Sequence, residues 1–129
     1  MASQNYRSRL NKTGTPRQQL GEHHEARACT LLQDSGLTLI QQNFSCRSGE
    51  IDLIMQDQDA LVFVEVRYRQ NDHHGNAAAS VTPVKQKRII RTALFYQQRR
   101  APNASMRFDV VAIDGDNEPQ WIRNAFDGF

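Results

Sequence analysis

Cysteine is scarce in this chain and tryptophan scarcer still. The two cysteines among 129 residues, Cys29 and Cys46, come with no Cys/His spacing of a zinc site and do not amount to a disulfide framework. They read as reduced, buried thiols of a cytoplasmic protein. No apolar run approaches the ~20 residues that span a bilayer, so no membrane contact is expected. After Met1 the N-terminus offers only Leu10 as a large aliphatic, which excludes a signal-peptide core and leaves the cytoplasm as the expected compartment. A phosphate-loop motif and a dinucleotide-binding glycine pattern are missing as well. What is present is the composition of an ordinary globular domain. A hydrophobic fraction of 39% with 23% charged residues excludes collagen-like and fully disordered chains. At 14.8 kDa the chain has the size of one domain, long enough to bury ~65–70% of its unfolded surface.

Acidic residues are missing from two stretches. Residues 1–20 carry Arg7, Arg9, Lys12 and Arg17 and no acid. Residues 81–100 carry Lys85, Lys87, Arg88, Arg91, Arg99 and Arg100, again with no acid. Most of the acids lie between these stretches, so the net charge of +2 conceals a basic–acidic–basic alternation. Such a distribution suits an acidic pocket flanked by positive surface, and positive patches attract polyanions. It is equally the pattern of a solvated face that keeps a protein soluble.

Residues 1–17 are polar and basic, with Gly14 and Pro16, and predict a mobile basic arm ahead of a domain over 18–129. Leu20 to Gln33 predicts a helix with Leu20, Ala28, Leu31 and Leu32 on its buried side and Gly36 as terminator. Strands are predicted over 37–44, 50–55, 60–69, 108–113 and 120–123, and Leu61-Val62-Phe63-Val64 has the continuous apolar character of a doubly covered strand. Thr82-Pro83 opens a second helix, with Thr82 as N-cap and Pro83 in the first turn. At 100° per residue, Ile89, Ile90, Ala93, Leu94 and Tyr96 fall in one arc; Lys85, Lys87, Arg88, Arg91 and Arg99 fall in the opposite, outward arc. Helix, three strands, helix and two strands predict an α/β fold: one domain built on a mixed β-sheet flanked by helices.

Two segments carry chemistry: Gly49-Glu50-Ile51-Asp52-Leu53-Ile54 and Phe63-Val64-Glu65-Val66-Arg67. Side chains alternate along a strand, so Glu50 and Asp52 share a face, as do Glu65 and Arg67. With residues 57–60 as a four-residue loop, the hairpin register puts Asp52 opposite Glu65 and Glu50 opposite Arg67. Opposed Cβ atoms lie ~4.5–5.5 Å apart, and two carboxylates that close repel unless something neutralises them. A divalent cation held by oxygen ligands resolves the conflict, and Mg²⁺ or Mn²⁺ suits such donors better than Zn²⁺. The other resolution is a Glu50–Arg67 ion pair, with Asp52 and Glu65 merely near the surface.

Asp52, followed thirteen residues later by Glu65-Val66-Arg67, resembles the PD-(D/E)xK nuclease motif, with Ile51 in place of its proline and Arg67 in place of its lysine. The chain as a whole resembles the YraN family of small bacterial proteins, which is related in fold to archaeal Holliday-junction resolvases and restriction endonucleases. The resemblance covers residues 17–126. It runs through Gly21-Glu22, Gly49–Ile54, Val62–Arg67, Ser80-Val81-Thr82-Pro83-Val84-Lys85-Gln86-Lys87, Arg107-Phe108-Asp109-Val110-Val111 and Asn124-Ala125-Phe126. It implies a restriction-endonuclease-like sheet with Asp52, Glu65 and the Val66 carbonyl as ligands of Mg²⁺ or Mn²⁺. It also implies Arg67 in the catalytic lysine position and Glu22 as a further acidic site residue. An arginine stays protonated and does not act as a general base, so Lys85 or Lys87 is the candidate substitute.

The function expected on these grounds is a nucleic-acid-binding protein, a metal-dependent endonuclease that hydrolyses phosphodiester bonds, with branched DNA as one substrate. Lys85, Lys87, Arg88 and Arg91 would follow the phosphate backbone. The alternatives are a non-catalytic nucleic-acid-binding module with a degenerate site, and a protein-interaction domain that reuses the fold. A homodimer is implied only by analogy with resolvases. His23 and His24, neighbours on a helix, point apart and cannot grip one ion, His73-His74 fall in a polar loop beside Gly75 within reach of substrate, and no Cys/His zinc spacing accompanies either pair. Trp121 and Phe126 read as packing residues rather than base-stacking platforms.

Overall fold

The computed structural model describes residues 14–70 and 80–128. His73-His74, and the part of the basic arm at residues 1–13, lie outside the described residues. The elements are α1 (Pro16–Asp34), β1 (Thr38–Cys46), β2 (Gly49–Asp57), β3 (Ala60–Arg69), α2 (Pro83–Arg100), β4 (Ser105–Asp114) and β5 (Gln120–Ile122). They form a single domain around one five-stranded sheet in the order β1-β2-β3-β4-β5. The β3–β4 pair is parallel and the others are antiparallel, so the sheet is mixed and α2 is the crossover between its parallel strands.

Helix α1 starts earlier than its apolar spacing suggests, so Pro16 and Arg17 belong to its first turn rather than to an arm. A capping box starts it: the Thr15 hydroxyl accepts the Gln18 N–H at 3.1 Å, and the Gln18 side chain accepts the Thr15 N–H at 2.9 Å. Leu20, expected on the buried side, is exposed; His24, Ala26, Ala28, Cys29 and Leu32 are the buried residues. The helix stops at Gly36, whose φ of +104° lets the chain turn so that the Leu37 N–H reaches the Leu32 carbonyl. Helix α2 begins as expected, with the Thr82 hydroxyl accepting the Lys85 N–H and Pro83 in the first turn.

Val62 and Val64 of β3 pack with α1, whereas Phe63 packs with α2. Because strand side chains alternate, the two helices cover opposite faces. The β2–β3 turn is tighter than expected. Asp57 pairs with Ala60, leaving the two-residue loop Gln58–Asp59 with Gln58 at φ +55°, but the register is the expected one, since Gln56 pairs with Leu61 either way.

That ladder ends at Leu53–Val64. On the other side of β2, β1 is irregular as well, with one extra residue at Ile40 and a left-handed residue, Asn43, at φ +53°. Before Asn43, Gln42 lies opposite Leu53 of the α1-side core. After it, Phe44 lies opposite Ile51, and both belong to the α2-side core. The tip of the β1–β2 hairpin therefore rolls onto α2. Gly49 lets the tip turn, because its φ of +148° is a backbone conformation that other residues rarely adopt, and it brings the chain close to Thr92.

Candidate metal and phosphate site

Where β2 peels away from β3, a hollow of about 350 Å³ opens between the strands and the start of α2. Asp52, Glu65, Val66, Arg67, Lys85 and Arg88 all line it, together with Glu50 and Gly49. These include both expected carboxylates and the expected arginine.

Asp52 does not face Glu65 as a regular ladder pair. It sits one residue past the last pair, and its Oδ2 accepts the Val66 N–H at 2.8 Å, replacing the backbone acceptor that the departing β2 no longer supplies. In a strand, the N–H and C=O of one residue project to the same side, so the Val66 carbonyl leaves β3 toward this gap too. Glu65 and Asp52 also share a hydrogen bond. Burial pushes the Glu65 carboxyl up to about 8, helped by the Asp52 charge and that hydrogen bond, while Lys85 and Arg67 pull the other way. Burial raises Asp52 as well, opposed by the Val66 N–H and by Glu65. Both shifts favour a proton shared within the pair, with Glu65 donating to Asp52.

Arg67 does not cross to Glu50. Its Nε donates to Ser80 Oγ at 2.8 Å, and its Nη1 lies 3.7 Å from Glu65 Oε2. Ser80 is therefore a site residue that the sequence reading passed over; nothing local to Ser80 signals a partner thirteen residues upstream. The basic arc of α2 also divides differently from expectation. Lys85 and Arg88 face the hollow, whereas Lys87 and Arg91 are exposed and do not line it. Glu22 does not line it either; it lies on α1, which packs on the other face of the sheet.

Among the described residues, no group of three or more His, Cys, Asp and Glu converges as a metal cage. Three carboxyl groups, those of Glu50, Asp52 and Glu65, line the hollow, and with the Val66 carbonyl they are all hard oxygens. That set fits Mg²⁺ or Mn²⁺, which retain several waters and need few protein ligands. His23-His24 forms no such site: the His24 ring is buried and stacked on Tyr68 at 3.7 Å, with neither ring nitrogen hydrogen-bonded.

Two further residues have structural roles. The Trp121 indole donates to Asp109 at 2.9 Å, and Phe126 stacks on Phe108 at 5.2 Å. Asp109 is wholly buried and also accepts the Asn124 N–H and a two-pronged contact from Arg107, which reaches Asp57 with its remaining nitrogen.

With this geometry in place, comparison with known proteins assigns the family. The sequence profile of the uncharacterised protein family UPF0102 matches residues 24–113. The chain belongs to the UPF0102 (YraN) family. It is 52% identical to a UPF0102 protein of Herminiimonas arsenicoxydans over 118 residues, 92% of this chain and 94% of that one. Identity to a UPF0102 protein of Nitrosomonas europaea is 51% over 83% of this chain and 92% of the relative. For one from Coxiella burnetii it is 48%, over 85% and 93%. The UPF0102 match ends before β5, yet it contains every residue named above as lining the hollow. No helix among the described residues is long and apolar enough to cross a membrane.

Proposed function

We propose that this UPF0102 protein binds nucleic acid, DNA in the first instance, and hydrolyses phosphodiester bonds with Mg²⁺ or Mn²⁺ at the Asp52–Glu65 pair. The observation that carries this reading is two half-buried, hydrogen-bonded carboxyl groups at a hollow also lined by Arg67, Lys85 and Arg88. Acid oxygens for a cation beside fixed positive charge for a phosphate is what diester hydrolysis requires.

When bound, the cation neutralises the two carboxylates, polarises the phosphate and lowers the pKa of water. Asp52, Glu65 and the Val66 carbonyl are the residues that would hold it. The Val66 N–H fixes the Asp52 carboxylate in place, and Glu65 gives up the shared proton. Ser80 fixes the guanidinium of Arg67, which offers its remaining N–H groups to phosphate oxygens and stays charged throughout. Lys85 stands near enough to bias the charge of Glu65, and so is the amine best placed for proton transfer or charge stabilisation. The exposed cations of α2 follow the backbone without reading sequence. Cys29 and Cys46 are free thiols, which fits a cytoplasmic setting.

The arginine in the lysine position favours a second reading, a nucleic-acid-binding module without catalysis. Incubating single-stranded, duplex and branched DNA with Mn²⁺, using the wild type and Asp52→Asn, separates the two. Cleavage that needs metal and disappears in the variant supports hydrolysis. Salt-sensitive binding without cleavage under either metal supports the module. Absence of any salt-sensitive affinity would leave a protein-interaction domain.

A further inference from the structure

The outer side of α2 carries a feature that the acid pair does not use. Arg88, Arg91, Phe95 and Arg99 recur at intervals of three and four residues, so they form one continuous strip along the helix. All four are exposed. Phe95 is one of three large hydrophobic residues left exposed among those described, at 36%. Its ring is held from two directions. Phe44 of the rolled hairpin lies 6.3 Å away, and the Arg99 guanidinium lies over the ring at 3.6 Å. Arg99 is further fixed by its Nη1 donating to the Phe95 carbonyl at 3.3 Å. The result is an exposed platform in which a guanidinium covers an aromatic ring.

The strip has a direction. Arg88 lines the hollow; Phe95 lies seven residues further on, about 10 Å along the helix axis. That distance corresponds to about three nucleotides at the ~3.4 Å spacing of a stacked strand. Helix α2 carries six cations and no acid, which suits a polyanion. Cations alone would serve any duplex, whose bases are stacked on each other and offer a helix phosphates and base edges but no free base face. An aromatic–guanidinium plane is of use only to a base whose face is free.

Resting on the nucleic-acid reading above, we propose that the strand entering the hollow is unpaired on the α2 side. It runs over Arg88 and Arg91 and stacks one base on the Phe95–Arg99 platform. The substrate class is therefore nucleic acid with a single-stranded segment beside the scissile phosphate, such as a flap, a gap or a junction arm, rather than continuous duplex.

The test is fluorescence anisotropy of the full-length chain with a labelled 12-nucleotide oligo-dT and with a 12-base-pair duplex. Phe95→Leu keeps the apolar contact with Phe44 and removes the plane; Arg99→Gln leaves the helix intact and removes the stacked cation, so one variant survives if the other folds poorly. The expected result is tighter binding of oligo-dT than of duplex by the wild type. Each substitution should weaken oligo-dT by about tenfold while changing duplex affinity by less than about twofold. Equal losses on both probes, no loss on either, or no binding of oligo-dT by the wild type would overturn the proposal. Cleavage is scored on the same oligonucleotides. Cleavage lost in Asp52→Asn, with single-strand affinity unmoved in Phe95→Leu, removes the platform and leaves hydrolysis standing. A platform effect without wild-type cleavage does the reverse.

Discussion

The carboxylate of Asp52 accepts the N–H of Val66 at 2.8 Å, although the strands that carry them have already separated. One acidic side chain thus does the work of a missing rung in the sheet while lining the site. The two tasks can be pulled apart by substitution. Asp52→Asn retains an acceptor oxygen for Val66 and should remain within about 1 kcal/mol of the wild type. Asp52→Ala strands the N–H and should cost about 1–3 kcal/mol. Both should lower metal-dependent cleavage by about a hundredfold or more. Urea denaturation beside a cleavage assay checks both halves; an Asp52→Ala protein as stable as the wild type would remove the structural role.

Lys85 and Lys87 are two residues apart and point in different directions. Lys85 lines the hollow and bears on the charge of Glu65; Lys87 is exposed. Lys85→Ala should lower the cleavage rate by about tenfold to a hundredfold. Lys87→Ala should leave the rate nearly unchanged and reduce the slope of log affinity against log salt by about 0.9 at most. Single-turnover kinetics at saturating enzyme separate rate from affinity, and equal rate losses for both variants would contradict this division.

Burial depresses His24 to about 4 from its usual 6.5, and the charges of His23 and Arg27 push the same way. The folded protein therefore keeps this imidazole neutral, stacked on Tyr68, while the unfolded chain takes up a proton once the pH falls below 6.5. Stability from this source is complete above pH 6.5, declines as the pH falls, and is fully lost below about 4. The loss should be at most about 3 kcal/mol. His24→Phe keeps the stacking and removes the titration. Its stability should change less than that of the wild type between pH 7 and pH 4.5 in urea titrations, and parallel declines would refute the assignment.

Asp109 has no exposure and accepts four hydrogen bonds, two of them from Arg107. Asp109→Asn leaves the part-buried arginine with Asp57 alone as charge partner and should destabilise the fold by about 3 kcal/mol. The C-terminal segment should loosen first, because Trp121 and Asn124 are tied to the same carboxylate. Amide exchange at β5 is the readout, and protection there equal to the wild type would count against this account.

Much of this architecture is legible in the residues alone. The continuous apolar run of β3, the Thr82-Pro83 start of α2 and the register of the β2–β3 hairpin all follow from local rules. So does the convergence of Asp52 with Glu65, because Gln56 pairs with Leu61 whether the loop has two residues or four. The features that were not legible depend on contacts distant in sequence. Arg67 turns to Ser80 because the chain returns beside β3 thirteen residues later. Lys85 and Arg88 face the hollow because the rolled hairpin tip, which comes close to Thr92 at Gly49, builds a wall where helical periodicity alone predicts solvent. The start of α1 was missed for a different reason: its first turn buries no apolar side chain and is held by Thr15 and Gln18 instead.

The irregularities of β1 also shape how the protein behaves in a crowded solution. Among the described strands it forms one border of the sheet, nine residues long and without a charged residue, the kind of border that invites an extra strand from a neighbour. Its extra residue at Ile40 and its left-handed Asn43 break the even spacing of donors and acceptors that such an addition needs. The same distortion therefore guards the molecule against sticking to its own kind. Straightening β1, for instance by deleting Ile40, should restore an even edge and ease the addition of a strand from a neighbour.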